Sequence, residues 1–273
     1  MTDGIINALY ALIQLIENIG FERLTLGLES FNPAMHQTAV ITAEMVVQPV
    51  AIGLLTLWAL LELVEIGKKT DGNDDITWQL MLPFMVRFSV AYVFVTQAAN
   101  VLTLIFNIAL GLITGMAMNI STHAESIDLS AARSYVSNMG VGSQLTLWIP
   151  ILIVLLIAHF TSIFVDIKIT MRMIEIYVLM AFSPIPLSTF SYGHTTQMGV
   201  SFLKNFAAVC IQGGIMLFYV FLASSTWAGL GNVELLDEVG ITTMIWGIAG
   251  YMLLLVFATM ASEATSKKAI GVL

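Results

Sequence analysis

The sequence predicts an all-α, polytopic membrane protein with about five transmembrane helices and one proline-broken segment that is re-entrant or interfacial. The composition indicates the class, because 58% of the 273 residues are hydrophobic and only 10% are charged, whereas soluble domains are about a quarter charged. Five apolar runs also supply the ~20 residues that a helix needs to cross the hydrocarbon core. A soluble core of this size cannot bury so much apolar surface, so part of the surface faces lipid.

Residues 1–36 are predicted to be an amphipathic segment outside the membrane, and residues 37–273 the polytopic membrane domain. Apolar side chains recur at three- and four-residue steps, which is typical of one helix face; they are Ile5, Ile6, Leu9, Leu12, Ile13, Ile16 and Ile19. No basic residue precedes Arg23, so the segment does not resemble a cleaved signal. The helix packs on a neighbouring helix or lies on the membrane surface, and packing is the simpler interpretation.

The five apolar runs are predicted to span the membrane. They are Thr38–Leu63, Leu80–Ile105 or beyond, Leu145–Ile167, Phe202–Thr226 and Ile241–Met260. The second run continues to Ile120 without a charge after Arg87, and as one helix it would measure about 60 Å. Two crossings would need a turn near Gln97–Asn100, where only the asparagine is a turn residue. We therefore expect one helix that continues out of the membrane.

Polar residues lie on one face of this second run. The face comprises Ser89, Thr96, Gln97, Asn100, Thr103, Asn107 and Thr114, with Gly111 and Gly115 forming a GxxxG pattern. Polar side chains at membrane depth avoid lipid and contact other helices or water. The face is either a seam between packed helices or a surface that lines a pore or a subunit contact.

The distribution of basic residues predicts the orientation of the chain. Lys68, Lys69, Lys267 and Lys268 indicate cytoplasmic segments, whereas the regions near 106–144 and 227–240 are poor in basic residues. This pattern fits about five crossings, with the amino terminus outside and the carboxyl terminus in the cytoplasm. It holds only if the stretch Glu175–Phe190 does not itself cross the membrane.

That stretch reads EIYVLMAFSPIPLSTF and contains Pro184 and Pro186. Each proline removes a backbone donor and disfavours helix at the preceding residue, so the chain is expected to break at Phe182–Leu187. Broken backbone at membrane depth is tolerated only inside protein or beside water. The stretch is therefore predicted to be re-entrant or interfacial, with a kinked spanning helix as the alternative.

Charged residues come directly before the break. Lys168, Arg172 and Glu175 fall on one helix face, and Lys204 lies on the same cytoplasmic side of the sequence pattern. They form either a solvated turn at the membrane surface or a contact site for a cytoplasmic partner. The sequence contains no nucleotide-binding, hydrolase or metalloprotease signature, and His159 has no second ligand at metal-binding spacing. No catalytic residue, cofactor or metal is expected.

Two segments carry a resemblance to a known family. The runs DIKITMRMIEIYVLMAFSPIPLSTF and GVSFLKNFAAVCIQGGIMLFYVFLA resemble the TrbL/VirB-six-like polytopic inner-membrane subunits of type IV secretion systems. The shared pattern comprises Arg172, Glu175, Ile176, Ala181–Pro186 and Phe202–Lys204. The resemblance covers about residues 160–225, and the region near 106–144 is shorter than in many members.

The resemblance implies a non-enzymatic subunit of a conjugative DNA-transfer machine in the bacterial cytoplasmic membrane. It implies a ring-shaped homo-oligomer in lipid, contacts with other secretion subunits including cytoplasmic ATPases, and transient contact with the translocated DNA or protein. A secondary transporter or small-solute permease is the alternative, because a broken helix also occurs in transporters. Transporters usually break two helices in related halves, and only one break is evident in the sequence.

The orientation is testable by cysteine-accessibility labelling. Cysteines replacing Lys68 and Lys268 are expected to react only from the cytoplasm, and cysteines replacing Asn138 and Asn232 only from outside. A cytoplasmic cysteine at position 232 would mean that the stretch containing Pro184 crosses the membrane, which contradicts the five-crossing topology.

Overall fold

A computed structural model of the protein describes residues 2–17, 21–70, 74–120, 133, 136–137, 140–230 and 238–272. Every secondary-structure element in these ranges is a helix, which confirms the all-α class. Six helical segments are long and apolar enough to cross a membrane, so the chain is a multi-pass membrane protein. They are Pro33–Lys69, Trp78–Thr96, Ala98–Met118, Gln144–Phe182, Thr196–Leu222 and Thr242–Ile270.

The first three helices are α1 (Thr2–Glu17), with 16 residues, and two short helices of four residues each, α2 (Phe21–Leu24) and α3 (Leu28–Phe31). The predicted apolar face of α1 is buried at Ile5, Ile6, Leu9 and Leu12. A Cβ atom at Gly4 would lie 3.0 Å from the indole ring of Trp148. The face therefore packs against the rest of the protein.

The first long helical segment begins at Pro33 and not at Thr38. The side chain of Asn32 accepts a hydrogen bond from the Met35 amide, and a proline at the first helical position suits that start. Helix α4 (Pro33–Ile41) passes through a π-helical turn at Thr42–Val47 into α5 (Gln48–Thr70). Pro49 explains the π-turn, because its ring has no amide hydrogen and crowds the preceding turn.

The expectation of one continuous helix from Leu80 to Ile120 is wrong. Helix α6 (Asp74–Thr96) ends and α7 (Ala98–Ile120) begins on either side of Gln97. The Gln97 amide donates to the Val93 carbonyl, and the Gln97 carbonyl accepts from the Val101 amide, each at 2.9 Å. Gln97 thus closes one helix and opens the next, without a glycine or proline to mark the position in the sequence.

The third predicted run is part of a much longer helix. Helix α8 (Val141–Phe182) has 42 residues and a length of about 63 Å. Helix α8 includes the first half of the stretch Glu175–Phe190. The stretch is therefore not a separate element, and the helix ends only at Phe182. The break is followed by α9 (Pro184–Ser188), a 3-10 turn (Thr189–Ser191), α10 (Thr196–Leu230) and α11 (Glu238–Ile270).

The expected outer region near 106–144 starts inside α7 and ends inside α8. Residues 121–132 of that region lie outside the described residues, as do positions 138 and 232. The expected acidic loop at 227–240 is helical at 227–230 and 238–240, and residues 231–237 also lie outside the described ranges.

Contacts divide the chain into two compact units. One comprises residues 1–25, 112–171 and 212–265, where Gln212 Nε2 donates to Ser262 Oγ at 3.3 Å. The other comprises residues 26–111, 172–211 and 266–273 and contains the break. Its largest core joins one face of α7 to the ends of α8 and α10; members include Leu102, Phe106, Met173, Tyr177, Met180, Phe206 and Cys210.

Candidate functional site: the proline break

The backbone at the break, residues 183–191, is hydrogen-bonded by its own hydroxyl side chains. Pro184 has no amide hydrogen to donate to the Met180 carbonyl, and the Ser183 hydroxyl donates to that carbonyl at 2.7 Å. The Ser188 hydroxyl donates to Ile185, and the Thr189 hydroxyl to Pro186, both at 2.7 Å. Ser183 and Ser188 are fully buried, so the break meets the requirement that backbone polar groups inside a membrane protein have partners.

The break packs against the hairpin of α5 and α6. Leu187 is fully buried in a core with Ala51, Leu55 and Ala91. The ring of Phe190 also lies 5.5 Å from the ring of Phe94, measured between centroids. The irregular backbone is therefore enclosed by protein on this side.

A charged cluster holds the residues that follow the break. The Gly193 amide donates to Glu62 Oε2 at 3.1 Å, and Arg87 Nη1 lies 3.7 Å from Glu62 Oε1. A Cβ atom at position 193 would lie 3.2 Å from Arg87 Nη1. The Arg87–Glu62 ion pair therefore packs closely against the backbone of Gly193, where a larger residue would crowd it.

A second carboxylate of the cluster is Glu65. Its Oε1 atom accepts from Lys69 Nζ at 2.7 Å and lies 3.3 Å from His194 Nε2. Tyr192 stacks on Trp58 at 5.8 Å. Burial, together with the Glu65 and Glu62 carboxylates, raises the pKa of the Tyr192 phenol. Exposed ion pairs add little to stability because water screens them, so the cluster fixes the position of residues 192–195 more than it stabilises the fold.

Arg172 does not form the exposed contact that the sequence predicts. It is only 3% exposed. Its Nε donates to the Val209 carbonyl at 3.1 Å and its Nη2 to the Cys210 carbonyl at 2.9 Å. The guanidinium thus fastens α8 to α10, and an interpretation as a solvated turn or as a partner contact is wrong for this residue.

The other predicted contact residues differ in their exposure. Lys168 and Glu175 are half-buried on α8, whereas Lys204 is exposed on α10. Pro184 is buried and Pro186 is half-buried. The sequence analysis missed Glu62 and Glu65, whose carboxylates contact Gly193 and His194 just after the break.

The predicted polar face is divided by the junction at Gln97 and points outward. Gln97, Asn100 and Asn107 are exposed, while the opposite face of α7 is buried in the core. Asn100 Nδ2 donates to Gln97 Oε1 at 2.7 Å, and the hydroxyls of Thr96 and Thr103 donate to carbonyls of their own helices. An intrachain packing seam therefore does not explain the exposed amides.

The glycines on this face leave space beside the helix. A Cβ atom at Gly111 or at Gly115 would meet no atom within 4 Å. The face can therefore accept a closely packed neighbour.

A protein-family model described as TrbL/VirB6 plasmid conjugal transfer like protein matches residues 14–184, more than half of the chain. The chain belongs to this family. No curated protein and no solved structure matches the chain.

The range matched by the TrbL/VirB6 family model differs from the range of the resemblance. It includes Arg172 and Glu175 and ends at Pro184, before Phe202–Lys204. The match therefore runs from the last turn of α1 to the first residue of α9, and the break lies at its carboxyl end.

The described residues of this TrbL/VirB6 family member contain no group of three or more His, Cys, Asp or Glu placed to hold a metal ion. His159 lies with its Nδ1 2.8 Å from the Leu155 carbonyl of the preceding turn.

The packing of the break is testable at Gly199, which lies in α10. A Cβ atom there would lie 2.8 Å from Cε2 of Phe190, the ring that packs on Phe94. We expect Gly199→Ala to lower the unfolding free energy in detergent by about 1–3 kcal/mol, although alanine favours helix.

The matched control is Gly53→Ala in α5, where a Cβ atom meets nothing within 4 Å. Its stability is expected to be unchanged or slightly raised. Equal stabilities for the two variants would contradict the described packing of Phe190.

Proposed function

We propose that the chain is a non-catalytic channel or scaffold subunit of a conjugative type IV secretion machine in the bacterial cytoplasmic membrane. The family match over residues 14–184 carries this proposal. The six apolar helices support it, because such a subunit is embedded in lipid. The expected orientation places Lys68, Lys69 and Lys267, Lys268 in the cytoplasm, with α6 and α7 forming one crossing that is interrupted at Gln97.

The subunit acts as part of a ring of identical copies. Gln97, Asn100 and Asn107 are exposed beside Leu104 and Ile108, each 62% exposed. Lipid satisfies the leucine and isoleucine but not the amides, which need protein or water as a partner. In a ring, the amides lie either against a neighbouring copy or along a water-filled conduit, so they have protein or water as a partner. Translocated DNA or protein contacts such a conduit transiently.

A cytoplasmic ATPase or another subunit of the machine docks near the charged cluster. Lys69, Arg87 and His194 keep most of their side chains exposed while their partners fix the loop after the break. This surface replaces Arg172 as the contact site. The break then has a positioning role, because it sets where residues 192–195 lie on α5 and α6.

A secondary transporter is the second candidate function. The observation in its favour is that helices break at both Gln97 and Pro184, and transporter sites often lie between interrupted helices. A deletion strain distinguishes the two, because loss of conjugation with unchanged solute uptake supports the secretion subunit.

The role of the break is testable by replacing both Pro184 and Pro186 with alanine. The change restores two backbone donors and favours continuation of α8 by up to about 3 kcal/mol per proline. The variant is expected to be inserted and abundant, as measured by membrane fractionation, yet to fail as a donor in a conjugation assay.

Pro150→Ala is the matched control, since Pro150 lies within α8 without ending it. It is expected to retain conjugation. Full transfer by the double variant would show that the break has no role in the machine.

Self-association is testable at Gly111 and Gly115. A Cβ atom at either position meets no atom within 4 Å, whereas the leucine side chain separates closely packed backbones of neighbouring helices. We expect chemical crosslinking of the oligomer to weaken while membrane insertion persists. Gly67→Leu, which also has free space around its Cβ position, serves as the control, and unchanged crosslinking in all three variants would place the α7 face against lipid.

A further inference from the structure

Three irregularities of the helical backbone meet at one polar cleft. They are the π-turn at Thr42–Val47, the junction at Gln97 and the start of α9 at Pro184. The cleft has a volume of about 140 Å³. The polar side chains that line it include Glu44, Gln48, Gln97 and Asn100. Irregular backbone at membrane depth occurs where it is covered by protein or lines a cavity.

Glu44 is the one charged side chain in the lining of this cleft. It is exposed, and no basic side chain pairs with it in the described part of the chain. Its neighbours Met45 and Val46 are 74% and 62% exposed, as expected for a surface that faces lipid. A carboxylate in such surroundings is costly unless it has a partner.

Lys204 has the complementary charge. It is exposed on α10, and it forms no ion pair within the ranges that the structure describes. The adjacent Leu203 packs on the core that contains Val95 and Ala98. Val95 and Ala98 also line the cleft, so the residue next to Lys204 packs on the same core as the cleft does.

We propose that Lys204 of one copy inserts into the cleft of a second copy and pairs with Glu44. The amide oxygens of Gln48 and Gln97 supply acceptors for the other ammonium hydrogens. One copy contributes the cleft and the other the lysine, so the contact is heterologous and generates a ring when the rotation closes. This inference rests on the proposed self-association and assigns its two surfaces.

The first test joins two differently tagged copies in a Cys210→Ala background. One copy carries Glu44→Cys and the other Lys204→Cys, and mild oxidation in membranes is expected to give a disulfide-linked pair carrying both tags. The control combines Lys204→Cys with Leu60→Cys, an exposed position of α5 about 24 Å from residue 44 along the helix. That combination is expected to give at least tenfold less product, and equal yields would overturn the proposal.

The second test is a charge exchange, measured as oligomer fraction in detergent. Glu44→Lys and Lys204→Glu are each expected to weaken self-association about tenfold, and the double variant is expected to restore it. A variant with both Glu44→Gln and Lys204→Met removes the ion pair without introducing repulsion. Its oligomer fraction is expected to fall while the monomer remains folded.

The outcomes separate this inference from the proposed function. The unchanged protein could be oligomeric and Gly111→Leu could disrupt the oligomer, while the double charge variant fails to restore self-association. In that case only the Lys204–Glu44 contact is wrong. If the unchanged protein is monomeric in membranes, the ring itself is wrong.

Discussion

Backbone hydrogen bonding at Pro184 is the constraint on which the rest of the site depends. An unpaired carbonyl inside a membrane protein costs several kcal/mol. At Met180 the carbonyl accepts from both the amide of Ser183, at 3.3 Å, and its hydroxyl, at 2.7 Å, and nearby hydroxyls bond other carbonyls of the break. The chain can therefore leave the helix and place Leu187 in the core of the α5–α6 hairpin.

The position of the loop after the break follows from this packing. Once Leu187 and Phe190 lie on α5 and α6, Gly193 comes within hydrogen-bonding distance of Glu62, and His194 reaches Glu65. The same arrangement brings Pro184 to the cleft beside Gln97. The proline break thus connects a surface near the expected cytoplasmic side with a polar cleft beside the α7 face that we propose for subunit contact.

The sequence predicts the features that depend on local chemistry. The helical class, the apolar face of α1 and the break at Pro184 follow from composition, helical periodicity and the missing proline donor. The junction at Gln97, the burial of Arg172 and the pairing of Glu62 with Gly193 arise from packing between distant segments. In the sequence, Arg172 lies among charged residues and is predicted to be on the surface. Its structural role follows only from its hydrogen bonds to the carbonyls of Val209 and Cys210 in the folded protein. The run of hydroxyl residues after Ser183 was a usable signal for a satisfied break.

Helices α5 and α6 hold the break inside the protein. A double-mutant cycle on Phe94 and Phe190, whose rings lie 5.5 Å apart, measures this coupling directly through unfolding in detergent. Each ring is replaced by leucine singly and then together. A packed aromatic pair predicts a coupling free energy of about 0.5–1.5 kcal/mol. Additive effects of the two substitutions would contradict the account, because they would show that the break does not pack on α6.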